Sequence, residues 1–182
     1  MLFRSIATPH LYAGDWQRFL DSLPDSESPR IRYVRGFAEL MQGHPGIAYR
    51  TLEPAFRSNP ADAHARLSHA LLAVIEGRHD EARAITRHFV RQRELVGETD
   101  AEMTYRIAQL AALAGDDALA VRQLERAIQQ GFYCVPMIER DPALVSLRQG
   151  AGFAQLLARA ARKQQAFAER FDLKPISRIA SR

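Results

Sequence analysis

Small and apolar residues return in one frame three times along the middle of the chain. Gly43-His44-Pro45-Gly46-Ile47-Ala48, Gly77-Arg78-His79-Asp80-Glu81-Ala82 and Gly115-Asp116-Asp117-Ala118-Leu119-Ala120 each place an alanine five residues after a glycine. Seven residues beyond each alanine stands another apolar residue, Ala55, Phe89 and Ala127. A step of seven returns to the same side of an α-helix, so the frame predicts a helix after each glycine with one apolar stripe. Glycine ends the preceding helix cheaply, because it adopts the left-handed conformation without a Cβ penalty. The alanine then lets the second helix lie close against the first. The predicted unit is an antiparallel helical hairpin, and each hairpin leaves an apolar face that a neighbouring hairpin must cover.

The first two glycines are 34 residues apart and the next two 38. Units of roughly 29–62, 63–98 and 99–132 with this spacing resemble tetratricopeptide repeats. The third fits best, with Met103, Ile107, Ala108, Leu110, Ala111 and Ala114 before Gly115, and Leu124 and Ala127 after Ala120. The first carries Gly36, Leu52, Ala55 and Pro60 at the family's places, but Arg32, Arg35 and Glu39 stand where large apolar residues are usual. Its first helix is therefore expected to be rotated or to face solvent on that side. The longer second interval, around Val96-Gly97-Glu98-Thr99-Asp100, predicts a lengthened loop or helix between the second and third units. The resemblance implies an all-α fold, a right-handed α-solenoid of antiparallel hairpins.

Both ends depart from the repeat. Gly14-Asp15-Trp16-Gln17-Arg18-Phe19-Leu20 looks like the second half of a further hairpin, and Pro24-Asp25-Ser26-Glu27-Ser28-Pro29 breaks the chain after it. Residues 1–28 read either as an N-terminal cap or half-hairpin, or as a sign that the chain is the C-terminal part of something longer. Downstream, Asp141-Pro142-Ala143-Leu144 is a helix start, with aspartate able to cap free N–H groups and proline suited to the first turn. Leu147-Arg148, Phe153 and Leu156-Leu157 follow. Residues 101–171 thereby resemble the tail that closes such arrays in some bacterial signalling proteins, among them nucleotide cyclases, kinases and winged-helix regulators. Residues 133–173 are expected to form capping helices and 174–182 a frayed tail.

In the family, the first helix of each hairpin lines a concave face. By position this implies a groove of Tyr33, Phe37, Leu40 and Met41, then Leu67, Leu71, Val74 and Ile75, then Tyr105, Gln109, Ala112 and Leu113. Such a face suits a protein partner presenting a helix or extended segment with apolar anchors. The same residues suit packing against the chain's own ends, or a homodimer interface, and these alternatives stay open. With an open groove, a charge at Leu71 is expected to abolish capture of a guest without unfolding the protein.

Composition changes this picture little. The apolar and charged fractions, 47% and 25%, are those of an ordinary folded domain of 182 residues. The formal charge of +4 is uneven: Arg159, Arg162, Lys163, Arg170, Lys174, Arg178 and Arg182 against Glu169 and Asp172 leave +5 in the tail and −1 elsewhere. A body of that charge argues against a nucleic-acid groove. The tail keeps one alternative, an anionic surface or nucleic acid met by Arg159, Arg162 and Lys163 on an amphipathic segment with Phe153, Leu156, Leu157 and Phe167. A charged outer face on a capping helix explains the same residues. The single Cys134, a start without a signal-peptide pattern and the lack of a bilayer-length apolar run read as a cytoplasmic protein.

Chemistry finds no foothold. His10, His44, His64, His69, His79 and His88 are scattered, and His64 and His69, five apart, fall off a shared helix face. Cys134 has no CxxC partner and reads as a semi-buried structural thiol. Asp116 and Asp117 open a helix, where carboxylates face its positive end. Neither a glycine-rich phosphate loop nor a nucleophile elbow occurs. No cofactor, metal or catalytic residue is expected, and the chain reads as a binding module rather than an enzyme.

Overall fold

Glycine and capping aspartate set the ends of most helices. In a computed structural model describing residues 9–172, every regular element among the described residues is helical. In order these are α1 (9–13), α2 (Trp16–Asp21), α3 (Pro29–Met41), α4 (Pro45–Ser58), α5 (Ala63–Ile75), α6 (His79–Leu95), α7 (Ala101–Leu113), α8 (Asp117–Gln130), α9 (Val135–Arg140), a 3₁₀ segment (Pro142–Leu147) and α10 (Ala151–Arg170). No described helix is long and apolar enough to cross a membrane.

The repeating frame is visible in the backbone. Gly43, Gly77 and Gly115 all have positive φ, between 71° and 83°, just beyond α3, α5 and α7. Ser28, Asp62, Asp100 and Asp116 cap α3, α5, α7 and α8, each accepting a hydrogen bond from a backbone N–H of the first turn. That satisfies donors the helix itself leaves unpaired. The hairpins are α3–α4, α5–α6 and α7–α8, and α3, α5 and α7 also pack on one another in that order.

The second helices carry the predicted stripes. Ala48, Leu52 and Ala55 of α4, Ala82, Thr86 and Phe89 of α6, and Ala120, Leu124 and Ala127 of α8 are all buried. Thr86 is polar, and its hydroxyl donates to the Ala82 carbonyl within the helix. The longer second unit is mostly helix: α6 has 17 residues where α4 and α8 have 14. α7 is the most enclosed element. Every residue from Met103 to Ala112 is buried, because α5, α6, α8 and the 3₁₀ segment all pack on it.

α3 corrects one expectation. It does not turn a side to solvent: Ile31, Tyr33, Val34, Phe37 and Ala38 are buried, and Arg32, Arg35 and Glu39 are half-buried at the margin. Arg32 donates to the Thr51 carbonyl and pairs with Glu27, while Arg35 donates to the Pro24 carbonyl. Gly36 faces α4 so closely that a Cβ there would lie 2.5 Å from Leu52 Cγ. The two arginines suit this margin because backbone carbonyls lie within their reach, and the missing bulk at 36 admits Leu52.

The ends fold back on the array. α1, Gly14 with φ of 74° and α2 make a short hairpin-like arm, with Leu11, Phe19 and Leu23 in the core. At the other end the expected helix from Asp141 is only a 3₁₀ segment. It stops at Arg148, and α10 starts afresh after Gly150 in extended conformation. Phe153, Leu156 and Ala160 of α10 are buried, and the helix packs on α8 and α9. The expected tail, 174–182, lies outside the described residues.

Candidate functional site

The face that α3, α5 and α7 share is where the implied groove residues fall. Tyr33, Phe37, Leu67, Leu71, Tyr105, Gln109 and Ala112 are buried, and Leu40, Met41, Val74, Ile75 and Leu113 are half-buried. Much of what covers them is the chain's own ends. From the arm, the Trp16 ring meets Phe37 edge-on with centroids 6.2 Å apart. Gln42 donates to Gln17, a further polar tie between α3 and the arm. Tyr12 meets Phe132 edge-on at 6.0 Å, and Phe132 in turn stacks on Tyr105 at 4.2 Å. Aromatic pairs of this kind contribute about 0.5–1.5 kcal/mol each beyond the area they bury. Between arm and cap a cleft of about 140 Å³ is left, walled by Leu11, Tyr12, Trp16, Met137 and Asp141.

Beneath the aromatic layer lie two polar groups. In the first, Asp141 is buried and its Oδ2 accepts hydrogen bonds from Tyr105 Oη and Gln109 Nε2, both at 2.6 Å. Its Oδ1 accepts from the Ala143 N–H at 2.9 Å, capping the 3₁₀ segment, and its carbonyl accepts from Arg148. Burial pushes the Asp141 carboxyl above its usual range, and the three hydrogen bonds its side chain accepts pull against that. Burial likewise pushes Tyr105 well up, reinforced by the Asp141 charge. The arrangement ties α7 to the 3₁₀ segment.

In the second group, Arg106 pairs with Glu102 one turn earlier at 2.6 Å, and its guanidinium lies 5.6 Å from the Tyr33 ring centre. His64 sits 6.1 Å from the same ring on the α5 side. Burial first, and then the Arg106 charge, lower the His64 pKa to about 4. Burial raises Tyr33 to about 12, against the opposing pull of Arg106. Tyr33 Oη and Gln109 Oε1 are buried with no hydrogen-bond partner among the described residues.

Asp116 accepts from the Leu119 N–H and pairs with Arg87 at 2.7 Å. Cys134 is half-buried, and burial raises its thiol. Among the described residues no three histidine, cysteine, aspartate or glutamate side chains group as metal ligands. In the basic tail Arg159 pairs with Glu125 at 2.8 Å, while Arg162 is exposed and Lys163 half-buried. Lys174, Arg178 and Arg182 lie outside the described residues.

Sequence reasoning placed Gln109 in the groove and Asp141 at a helix start, but not the bond between them. The one available signal was that Gln109 and Tyr105, one turn apart on α7, are both polar-tipped in a helix otherwise read as core. Comparison with known proteins adds no neighbour: no family model, curated protein or solved structure matches the chain.

Proposed function

We propose that this chain is a non-enzymatic protein–protein interaction module, a tetratricopeptide-like right-handed solenoid that takes a helical segment on the face of α3, α5 and α7. The observation that carries this reading is the occupant that face already has. A short helical arm of the chain packs on α3, with Trp16 against Phe37, Tyr12 against Phe132 and Leu11 and Phe19 buried in the same core. A face that accepts four apolar anchors on two short helical turns has the character of a helix-accepting groove. A partner segment with similarly spaced aromatic and aliphatic side chains would compete with the arm for it.

Leu71 is not the position at which to test this. It is fully buried, so a charge there attacks the fold rather than the guest. The test is a pull-down from the host's lysate with and without a synthetic peptide of residues 9–23. The expected result is a partner displaced by the peptide and captured more strongly by Trp16→Ala, which loosens the arm. A set of captured proteins indifferent to both changes would refute binding at this face.

A further inference from the structure

A second surface lies away from the arm, along the trough between α4 and α6. Two clefts of about 430 and 460 Å³ adjoin there, sharing Arg66, Phe89 and Gln92 in their walls. Both volumes fall in the range of sites that enclose a ligand or a few side chains. The first is walled by Phe56 and Ile85; the second opens on Leu95 and Val96, which are 85% and 76% exposed. Two large aliphatic side chains bare at the end of a trough lined by further apolar groups form a patch rather than scattered exposure.

The charge of the trough selects what covers it. Arg66 stands at the junction of the clefts. Its guanidinium donates to the Gln92 side chain and the Pro60 carbonyl, and no carboxylate among the described residues pairs with it. Arg93, at the α6 end, is neutralised by Glu98, and His69 faces Glu81 at 3.4 Å. His88 lines the wall near Phe89. Arg87 pairs with Asp116 and, with Arg91, lines a different cleft facing α8, so among the described residues the trough's own unneutralised cation is Arg66. The rest of the trough is uncharged, so its net field is positive, within a body whose formal charge is −1 before Arg159. The chain's own C-terminal residues, with Lys174, Arg178 and Arg182, carry the wrong sign to fill it.

We propose that the α4–α6 trough docks a partner segment bearing apolar anchors flanked by a carboxylate. The anchors fill the clefts beside Phe56 and over Leu95 and Val96, and the carboxylate accepts from Arg66 in place of Gln92. A charge-assisted pair at the centre of an apolar patch fixes register and orientation where apolar contact alone would slide. This surface is separate from the one the arm occupies and does not depend on it.

The full-length protein is panned against a random 12-residue phage-displayed library, and selected peptides are resynthesised for fluorescence polarisation. The expected consensus has two apolar positions and an aspartate or glutamate. Replacing Arg66 by glutamine (Arg66→Gln) should weaken those peptides about tenfold or more, the scale of one lost charge-assisted bond. Val96→Glu, at an exposed position, should weaken them comparably by repulsion, with the far-UV spectrum and melting unchanged in both variants. No enriched consensus, a neutral or basic one, or affinities equal to wild type in both variants would overturn the proposal. So would peptides that ignore both substitutions but are displaced by the 9–23 peptide, since these bind the arm's face. Self-association of the protein that Val96→Glu abolishes would overturn it in favour of a second copy.

Discussion

Acid should loosen this protein through one imidazole. His64 is the second residue of α5, with its side chain 20% exposed and its ring against Tyr33. Desolvation dominates its lowered pKa of about 4; the Arg106 and Arg30 charges lower it further, while Asp62 and Glu102 oppose them. The unfolded chain takes up a proton at this histidine near the ordinary value of 6.5, and the folded chain resists it until about 4. Protons therefore favour the unfolded state: stability is full above the unfolded value and is lost as pH falls toward the folded one. Linkage between those two values gives a loss of about 2 kcal/mol on going from pH 7.5 to pH 5. With an m-value of about 2 kcal/mol/M, that is a drop of about 1 M in the urea midpoint. The perturbation is His64→Phe, which keeps a ring against Tyr33 and carries no proton. Urea unfolding followed by circular dichroism at both pH values, in both proteins, isolates the contribution by difference. Equal acid sensitivity in wild type and variant would refute the reasoning, as would an NMR titration placing His64 near 6.5.

Three further outcomes follow from geometry. Asp141→Ala removes the acceptor shared by Tyr105, Gln109 and the Ala143 N–H, and should cost about 3–5 kcal/mol in chemical denaturation, with Asp141→Asn costing less. Gly36→Ala drives a methyl into Leu52; overpacking of about 1–3 kcal/mol should outweigh the ~1 kcal/mol helix-propensity gain, whereas Gly46→Ala, with open space around it, should leave the melting temperature equal or higher. Leu71→Glu buries an unpaired carboxylate and should abolish the cooperative thermal transition; a folded variant would mean that the α5 face opens more readily than its burial implies.

The hairpins were legible because their determinants are local. A glycine that ends one helix and an alanine that admits the next lie within six residues, and their recurrence at Gly43, Gly77 and Gly115 needs no tertiary knowledge. The lengthened α6 was legible for the same reason, as four extra residues before Asp100. What the face of α3, α5 and α7 carries was not. Tyr12 and Trp16 are amphipathic side chains whose choice of Phe132 and Phe37 depends on how the arm turns at Gly14, which no spacing within residues 9–23 dictates. Asp141 announced itself as a cap through its Oδ1, but the partners of Oδ2 come from α7, far away in sequence. The solvent-facing alternative for α3 failed for the same reason. Arg32 and Arg35 looked misplaced because carbonyl acceptors from Thr51 and Pro24 are invisible in a pattern of side chains. Val96 was seen only as part of an insertion and Leu95 not at all, since exposure is a property of the assembled hairpins.

An open row of helical hairpins interacts only with nearest neighbours, so it can unzip from either end one unit at a time. Here the edge-on contact of Tyr12 with Phe132 joins the first described helix to the segment beyond the last hairpin, and Asp141 ties that segment to α7. The terminal units are thereby denied independent fraying. Opening the arm or the last hairpin must break a contact made between residues 120 positions apart, which couples the local equilibria into one. The kinetic corollary is a slower search, because the closing contact forms only after the intervening hairpins are in place. Hydrogen exchange should then report a single cooperative unit running from the arm through α8, rather than protection that decays toward the termini.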